Sequence, residues 1–519
     1  MFGQTRFSAP LVAGCSLLAI GSTTELAHAA QPFLIPNSLV ISSSTYDRTQ
    51  GAVASLTAGT TALANTATST VKAVSDGNYV TVWSNESVDA SFGVTSPIRL
   101  TAIEPHSGHV CATLLVPADQ VVTSFPSKSE LGLHVAKDRQ GFHLVFVGYA
   151  GAGVGALDVS NSDAVAGQDP TNPVTFAFGS GYAFPRTIVS MDAHGHFAFT
   201  PTINYGGNNG RSALLGSNGL YYSVGNANNG NAATFGSLSN GTNPDVTETT
   251  GLEVVEPIDA VTWNVMIPAG NSAEVDPLIQ YKFGTKFDKP GKDNNYRGVT
   301  EFGGALYFTK GSGSNGMDTV YTVGSLPTVA EAVAGATTIP PAPAPAISVV
   351  PGFPTDSAKA TGGNFTPFAV YFANANTMYV TDEGTGGLTS PSIDMTDHAG
   401  LEKWSLVNGI WQLDYVLRNG LIGAVDTGLN GYDGQYPDVT TVGLRNLTGV
   451  VNDDGTVTLY ATTSTASAST DNGADPNKVV QITDVLAATS LTGPVAQESF
   501  STIAGPTYGT VYRGVALVH

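Results

Sequence analysis

Short stretches in which apolar and polar residues alternate recur along the chain, each followed by a tight turn. One unit has an arginine or aromatic lead-in, an aromatic strand and a loop of Gly, Ser and Asn. It reads RSALLGSNGLYYSVGNANNG from Arg211 and RGVTEFGGALYFTKGSGSNG from Arg297. Related units begin at Phe368 and Leu447, and a final RGVALV begins at Arg513. Alternation with a period of two predicts half-buried strands rather than helices.

The clearest predicted hairpin is GLEKWSLVNGIWQLDYVL, from Gly400 to Leu417. Its Asn408-Gly409 pair is the strongest short signal for a hairpin turn. The hairpin follows directly on another predicted strand, TMYVTDEG. Together these segments supply the four-strand succession of one repeated sheet.

Repetition of such sheets every roughly 65 to 85 residues predicts an all-β fold, a β-propeller, as a single domain over residues 30–519. Dividing roughly 485 residues by about 70 per blade gives seven blades, with six and eight left open. The C-terminal RGVALV and the N-terminal SLVISSSTYD, from Ser38, look like parts of one blade. Their pairing would close the ring and remove free sheet edges. A Pro-rich stretch at about 330–351 is predicted to be a loop insertion.

The first 29 residues are predicted to be a signal peptide. Arg6 supplies the positive charge, Pro10 to Gly21 an apolar segment too short to span a bilayer, and Ala27 to Ala29 a small-x-small cleavage site. These features predict a secreted or periplasmic protein. The alternative is lipid anchoring through Cys15, because LVAGC resembles the bacterial lipobox. No other apolar run approaches the ~18 residues of a transmembrane helix.

Composition narrows the classes of partner. The chain has 60 Gly, 42% hydrophobic residues and only 12% charged residues, which indicates a globular protein with many turns, and its net charge is −20. The negative charge makes nucleic acid an unlikely partner, because it repels a phosphate backbone. Loops that combine Asp or Glu with Asn and Gly, such as VTDEGTGG around Asp382, offer oxygen ligands that suit Ca²⁺. Ordinary Asx turns are the alternative for these loops.

Arginine placement suggests a ligand site. Five arginines lie at or just before predicted innermost strands, where they would gather near one mouth of a central channel: Arg186, Arg211, Arg297, Arg445 and Arg513. Guanidinium groups suit carboxylates and phosphates, so the set predicts an anion-binding site in an otherwise acidic protein. The alternative is that each arginine makes a structural bond to a loop of a neighbouring blade.

Candidates for catalysis are few. EPHSGHV places Glu104, His106 and His109 in one loop, where they could bind a metal or act as a base. Glu301 and Asp382 lie beside predicted strand ends. No GxSxG motif and no phosphate-binding loop with its lysine occurs in the sequence.

The run TMYVTDEG…GLEKWSLVNGIWQLDYVL and the closing YRGVALV resemble exported bacterial β-propeller proteins of largely uncharacterised activity. The resemblance covers most of residues 30–519 and rests on the strands and turns of the blades. It implies the propeller fold and assigns no catalytic residue. Related propellers include lactonases, phytase-like esterases and lyases.

Three functional hypotheses follow. The first is an exported binding or interaction module with a small molecule or an extracellular polymer at one mouth of the central channel. The second is a propeller hydrolase or lyase, lactonase-like or phytase/esterase-like, with Ca²⁺ as a conceivable cofactor. The third is a lipid-anchored structural protein of the cell envelope.

Overall fold

A computed structural model describes most of the chain, with gaps. The described residues are 32–66, 69–72, 93–157, 159–161, 186–202, 205, 208–226, 251–257, 274–275, 295–312, 316–328, 347–355, 365–384, 398–425, 439–466 and 473–519. The predicted signal peptide, with Cys15, lies outside these residues, as does most of the predicted Pro-rich insertion. Those two expectations therefore stay predictions.

The described residues form an all-β propeller of six blades, each an antiparallel sheet. From the channel outward, blade 1 consists of β29 (Thr510–Leu517), β1 (Leu39–Thr45), β5 (Ile98–Ile103) and β6 (Val110–Leu115). Blade 2 consists of β8 (His134–Lys137), β9 (Phe142–Ala150), β10 (Arg186–Asp192) and β11 (Phe197–Thr202). Blade 3 consists of β12 (Gly210–Leu215), β13 (Tyr221–Gly225), β14 (Gly251–Val255) and β15 (Glu274–Val275).

The other three blades follow the same order. Blade 4 consists of β16 (Val299–Phe302), β17 (Ala305–Lys310), β18 (Thr319–Val323) and β19 (Ser348–Val349). Blade 5 consists of β20 (Pro367–Asn374), β21 (Thr377–Asp382), β22 (Gly400–Val407) and β23 (Ile410–Leu417). Blade 6 consists of β25 (Val439–Val451), β26 (Thr456–Ala466), β27 (Val479–Val485) and β28 (Ser501–Ala504).

Smaller elements extend this framework. A short ladder of β4 (Thr95–Ser96) and β7 (Val121–Ser124) adds to β9, and β24 (Gly423–Val425) adds to β25. A separate ribbon joins β2 (Ala62–Thr66) and β3 (Ser69–Lys72). Short 3-10 helices occupy Ala52–Ser55, Val159–Asn161 and Val495–Gln497. No helix among the described residues has the length and apolar character needed to cross a membrane.

The ring is closed by the two ends of the described chain, as the sequence predicts. β29 pairs antiparallel with β1, from Leu39 opposite Leu517 to Thr45 opposite Thr510. The N-terminal strand thus becomes the second strand of a blade whose first strand comes from the C-terminus. Blade 1 therefore joins both ends of the described chain in one sheet.

Apolar clusters between neighbouring blades form the core, because each sheet buries both faces. Val40 and Phe146 belong to one cluster between blades 1 and 2, and Val370 and Trp404 to another between blades 4 and 5. Where the ring closes, Ile41 and Val515 of blade 1 pack in one cluster with Tyr460 of blade 6. Burial of each such side chain contributes about 1.5–3 kcal/mol, so the interfaces between blades supply most of the stability.

The recurring Arg-Gly-Val phrase has a packing reason. At Gly514, a Cβ atom would lie 2.2 Å from the carbonyl oxygen of Leu131, and at Gly298 it would lie 2.6 Å from that of Phe368. Each glycine therefore lets the backbone of the next blade approach the innermost strand. The valines that follow, Val299 and Val515, are each 1% exposed.

The expected blade number of seven is wrong, since the described chain has six. The later blades do begin roughly 70 to 90 residues apart, but the described residues between β1 and β5 supply the β2–β3 ribbon and β4 and no further blade. The hairpin prediction is confirmed by β22 and β23. Asn408 and Gly409 form their turn with φ angles of 53° and 80°, the left-handed region that such turns require.

Candidate functional site

Four charged side chains meet at one end of the channel, and we call Lys128, Arg297, Glu383 and Arg445 the mouth cluster. Lys128 lies in the connection before β8, Arg297 lies just before β16, and Glu383 directly follows β21. Because neighbouring strands run antiparallel, the start of a first strand and the end of a second strand face the same end of the propeller. The fold therefore brings residues from four blades together there.

Arg445 reaches the cluster through an irregularity in its strand. The β25–β26 ladder shifts register between Leu444 and Leu447, so Arg445 and Asn446 stand outside regular pairing. A bulge of this kind redirects a side chain. Asn446 donates from Nδ2 to the carbonyl of Arg513 at 2.7 Å, which ties the bulge to the neighbouring innermost strand.

Glu383 is the centre of the mouth cluster. Its Oε1 lies 3.4 Å from Lys128 Nζ and 3.5 Å from Arg297 Nη2. Its Oε2 lies 3.3 Å from Arg445 Nε. One carboxylate is thus shared by three cations, so these four side chains together carry an excess of two positive charges. The negative charge of the buried Asp475 also acts on Arg445.

The pKa values reflect this arrangement. Burial raises the pKa of Glu383, but the charges of Lys128, Arg297 and Arg445 together outweigh burial and hold that pKa at about 2. The Glu383 carboxylate raises the pKa of Lys128, but burial and the two guanidinium charges outweigh it and bring the pKa to about 8. Burial also lowers the pKa of Arg445. Positive charge in the mouth cluster is therefore energetically unfavourable, and a bound anion would stabilise it.

A second carboxylate fixes the segment that carries Lys128. Glu130 is 1% exposed and accepts hydrogen bonds from the backbone N–H of Ser124 at 2.9 Å and from Asn209 Nδ2 at 2.6 Å. The hydroxyl groups of Thr123 and Tyr149 also donate to it. These bonds hold the chain two residues from Lys128, so the lysine projects from an anchored segment.

The other three predicted arginines contact protein carbonyls. Arg186 donates to the carbonyl oxygens of Ser160 at 2.6 Å and of Asn208. Arg211 donates to Asn295 and to the carbonyl oxygen of Tyr296 at 2.8 Å. Arg513 donates to the carbonyl oxygens of Phe125 and, at 2.9 Å, Gly473. For these three arginines the contacts are those of the alternative, in which each arginine makes a structural bond to a loop. The predicted anion site therefore depends on Arg297 and Arg445.

The predicted catalytic candidates lie in three different blades. Glu104, His106 and His109 occupy the exposed turn between β5 and β6, where Glu104 accepts the backbone N–H groups of His106 and Ser107. Glu301, on β16, accepts from the backbone N–H and hydroxyl of Ser217. Neither set reaches the mouth cluster through a hydrogen bond or an ion pair between described residues.

Asp382 is the one catalytic candidate that lies beside the mouth cluster. It is fully buried and accepts hydrogen bonds from Thr366 Oγ1 at 2.6 Å and from the backbone N–H of Gly384 at 2.8 Å. Burial raises its pKa to about 6 despite these bonds. The described residues contain no group of three His, Cys, Asp or Glu side chains arranged to hold a metal ion, so Ca²⁺ stays a prediction.

A histidine and a buried glutamate, which the sequence analysis did not identify, lie next to Asp382. His398 Nδ1 is 2.6 Å from Glu402 Oε1, and Trp404 donates from Nε1 to Glu402 Oε2 at 2.7 Å. Burial raises the pKa of Glu402 to about 7, and the negative charge of Asp382 adds to that rise. A carboxyl group with this pKa can hold a proton near neutral pH, which is what an acid–base role requires.

Replacement of Glu402 by Gln is expected to remove a pH dependence of stability. Folding raises the Glu402 pKa from 4.5 to about 7, so this group contributes stability that is present below about pH 4.5 and is lost as pH rises through about 7. Melting temperatures at about pH 5 and about pH 7 should therefore differ less in E402Q than in the wild type. Glu256→Gln, which changes an exposed glutamate, is the control. An equal pH effect in E402Q and the wild type would contradict this assignment.

The chain is similar to several solved structures at low identity. The Bombyx mori GH32 β-fructofuranosidase BmSUC1, as a mutant in complex with sucrose, shares 12% identity with a TM-score of 0.29, over 70% of this chain and 60% of that one. The same enzyme without the mutation gives 11% and 0.27 over the same shares. A mutant of AofleA from Arthrobotrys oligospora shares 10% identity with a TM-score of 0.25, over 78% of this chain and 92% of that one.

These similarities carry no argument about function. The chain spans about 60% of the length of the Bombyx mori enzyme that it matches. No protein-family model and no curated protein matches the chain. The function proposed below therefore depends on the geometry of the mouth cluster.

Proposed function

We propose that the protein is an exported binding module that holds a small anion, a carboxylate or a phosphate, at the mouth cluster. The observation that carries the proposal is the sharing of one buried carboxylate, Glu383, by Lys128, Arg297 and Arg445. An anion placed beside the two guanidinium groups would balance their remaining charge. Such charge-assisted hydrogen bonds are the strongest that proteins make.

The donors needed for this ligand are present. Among the described residues, Arg445 makes one hydrogen bond, from Nε to Glu383, so its two terminal nitrogens donate to no described group. Arg297 donates from its terminal nitrogens to the hydroxyl groups of Ser129 and Ser312. A ligand oxygen could therefore accept directly from Arg445 and replace or share the hydroxyl contacts of Arg297.

Calorimetric titration with inorganic phosphate and with malonate at low ionic strength tests the proposal. Replacing either arginine by methionine should weaken binding at least about tenfold, because a hydrogen bond to a charged group contributes about 1.5–3 kcal/mol. Arg139→Met, which changes an exposed arginine in the β8–β9 turn, should bind as the wild type does. Added salt should weaken binding by screening.

Two results would contradict the proposal. One is the absence of measurable heat with every anion, and the other is equal affinity in R297M, R445M and R139M. Since Arg297 and Arg445 are each 4% exposed or less, their methionine variants are first compared with the wild type by thermal melting. If a methionine variant does not fold, the lysine variant at the same position replaces it. Lysine keeps the positive charge but lacks the two parallel donors of a guanidinium group, so this variant should bind the anion less tightly than the wild type does.

One observation favours the hydrolase or lyase alternative. His398, Glu402 and Asp382 place a half-buried histidine paired with a buried glutamate, and a second carboxyl group, beside the proposed anion site. A screen of esters, lactones and phosphate esters tests it. Turnover by the wild type that is lost in E402Q, while E402Q keeps its affinity for phosphate, would make the protein an enzyme. If the wild type turns over none of these substrates, the binding module remains the proposed function.

A further inference from the structure

Lys128 is the one side chain of the mouth cluster whose terminal group can act as a nucleophile. Its side chain is 34% exposed, while those of Glu383, Arg297 and Arg445 are each 4% exposed. Among the described residues, its amino group makes a single contact, the 3.4 Å ion pair with Glu383. Lys128 is therefore the one side chain of the mouth cluster that is partly exposed to solvent, while its charged neighbours are enclosed.

The charged groups around Lys128 come from three other blades: Glu383, Arg297 and Arg445. The Glu383 carboxylate is the largest single influence on the Lys128 pKa and raises it, but burial and the two guanidinium charges together outweigh it and disfavour protonation of the amine. An amine that is partly unprotonated at neutral pH is the form that attacks carbonyl carbon. Cationic neighbours thus prepare the lysine for reaction and also attract the kind of substrate that carries a carboxylate.

We propose that Lys128 forms an imine with 2-oxo acids, the carboxylate of the substrate being held by Arg297 and Arg445. This inference rests on the proposed anion site and names its substrate class. In a 2-oxo acid the carbonyl carbon is bonded directly to the carboxylate carbon. A carboxylate beside the two arginines would therefore hold the reactive carbon close to the lysine amine.

The reaction is balanced without any other reagent. The unprotonated Lys128 amine attacks the carbonyl carbon and forms a C–N bond, which gives a carbinolamine. The carbonyl oxygen then leaves as one water molecule with the two protons that the amine nitrogen carried. The product is an imine, no atom is oxidised or reduced, and addition of water reverses the step.

Lys128 should also be distinguished from the other lysines by its reactivity. With a pKa of about 8, half of its amine is unprotonated at about pH 8. An ordinary lysine with a pKa near 10.4 is less than about 1% unprotonated there, so the free-amine population of Lys128 is more than about a hundredfold larger. The labelling rate should rise about tenfold between pH 7 and pH 9.

The experiment is reductive trapping. The full chain is incubated with glyoxylate and cyanoborohydride at about pH 8, and the modified peptides are identified by mass spectrometry. We expect one carboxymethyl group per chain, on Lys128, formed at least about tenfold faster than the adduct of propionaldehyde, which has no carboxylate. Inorganic phosphate should slow the reaction by competing for the arginines.

Two variants provide the matched comparison. Lys128→Arg keeps the positive charge and cannot form an imine, so it should lose the adduct. Lys137→Arg, which changes an exposed lysine on β8, should be labelled as the wild type is. If K128R does not fold, the pH profile of labelling at Lys128 in the wild type, with a midpoint near 8, supplies the same information.

The outcomes separate the two proposals. Phosphate binding together with labelling spread evenly over the lysines would overturn the imine and leave the anion site standing. Selective labelling of Lys128 by glyoxylate and propionaldehyde at equal rates, with no phosphate binding, would overturn the anion site and the 2-oxo acid specificity with it. Labelling of K128R by glyoxylate at the wild-type rate would also overturn the imine.

Discussion

Deletion of the last strand, β29, is expected to leave the protein unfolded. β29 supplies the innermost strand of blade 1, and without it β1 becomes an unpaired edge. The deletion also removes Val515 and Leu517 from the cluster that joins blades 6 and 1. Since a whole domain is stable by only about 5–15 kcal/mol, loss of one blade interface should exceed what the fold can tolerate. Circular dichroism and thermal melting of the truncated chain measure the effect.

A single added methyl group tests the packing of β29 against blade 2. Gly514→Ala would bring a Cβ atom to 2.2 Å from the Leu131 carbonyl oxygen, across the junction of blades 1 and 2. We expect a loss of at least about 1–3 kcal/mol in the free energy of unfolding, the usual cost of overpacking. Gly505→Ala is the matched control, because nothing lies within 4 Å of its added Cβ. Equal stability of the two variants would contradict the close contact at Gly514, and a folded truncated chain would show that ring closure is not needed.

Glu383→Gln is expected to be the most destabilising change at the mouth cluster. With a pKa of about 2, this carboxylate is ionised at neutral pH and balances Lys128, Arg297 and Arg445. Its removal takes the ion-pair partner from two buried guanidinium groups, Arg297 and Arg445, and breaking a buried ion pair in this way costs about 3–5 kcal/mol. Chemical denaturation at low ionic strength measures the loss. Glu301→Gln is the control, since Glu301 accepts two hydrogen bonds from Ser217 but forms no ion pair with a described residue.

Added anion should partly restore the stability of E383Q. A ligand that binds only the folded state stabilises it in proportion to the logarithm of its concentration over the dissociation constant. Because E383Q lacks the competing carboxylate, phosphate should raise its melting temperature more than that of the wild type. A wild-type stability in E383Q, or an equal phosphate effect in both proteins, would contradict the assigned charge balance.

The features of the fold that depend on local pattern could be predicted from the sequence. The hairpin around Asn408 and Gly409 follows from turn chemistry, and the pairing of the two chain ends follows from the split repeat. The number of blades could not be predicted, because spacing does not reveal that the described residues between β1 and β5 include the β2–β3 ribbon and no blade of their own. The number of blades depends on which strands pair with each other, and those strands can be distant in sequence.

The composition of the site was predictable only in part. The expected position of Arg186 is wrong, since it opens β10, the third strand of blade 2. The sequence contexts of the other arginines do not show that Arg513 donates to carbonyls while Arg297 and Arg445 face a carboxylate. Glu383 lies in a Gly-rich loop that also has the pattern of an ordinary turn. Its partner Lys128 is 255 positions away, and no local signal joins them.

The most direct test of the anion site is a crystal structure with selenate, whose selenium atom gives an anomalous signal. The account predicts a peak between Arg297 and Arg445, with selenate oxygens at hydrogen-bond distance, about 2.7–3.2 Å, from both guanidinium groups. It predicts no such peak in R445M crystals grown in the same way. An empty channel mouth in wild-type crystals that hold selenate elsewhere would contradict the account.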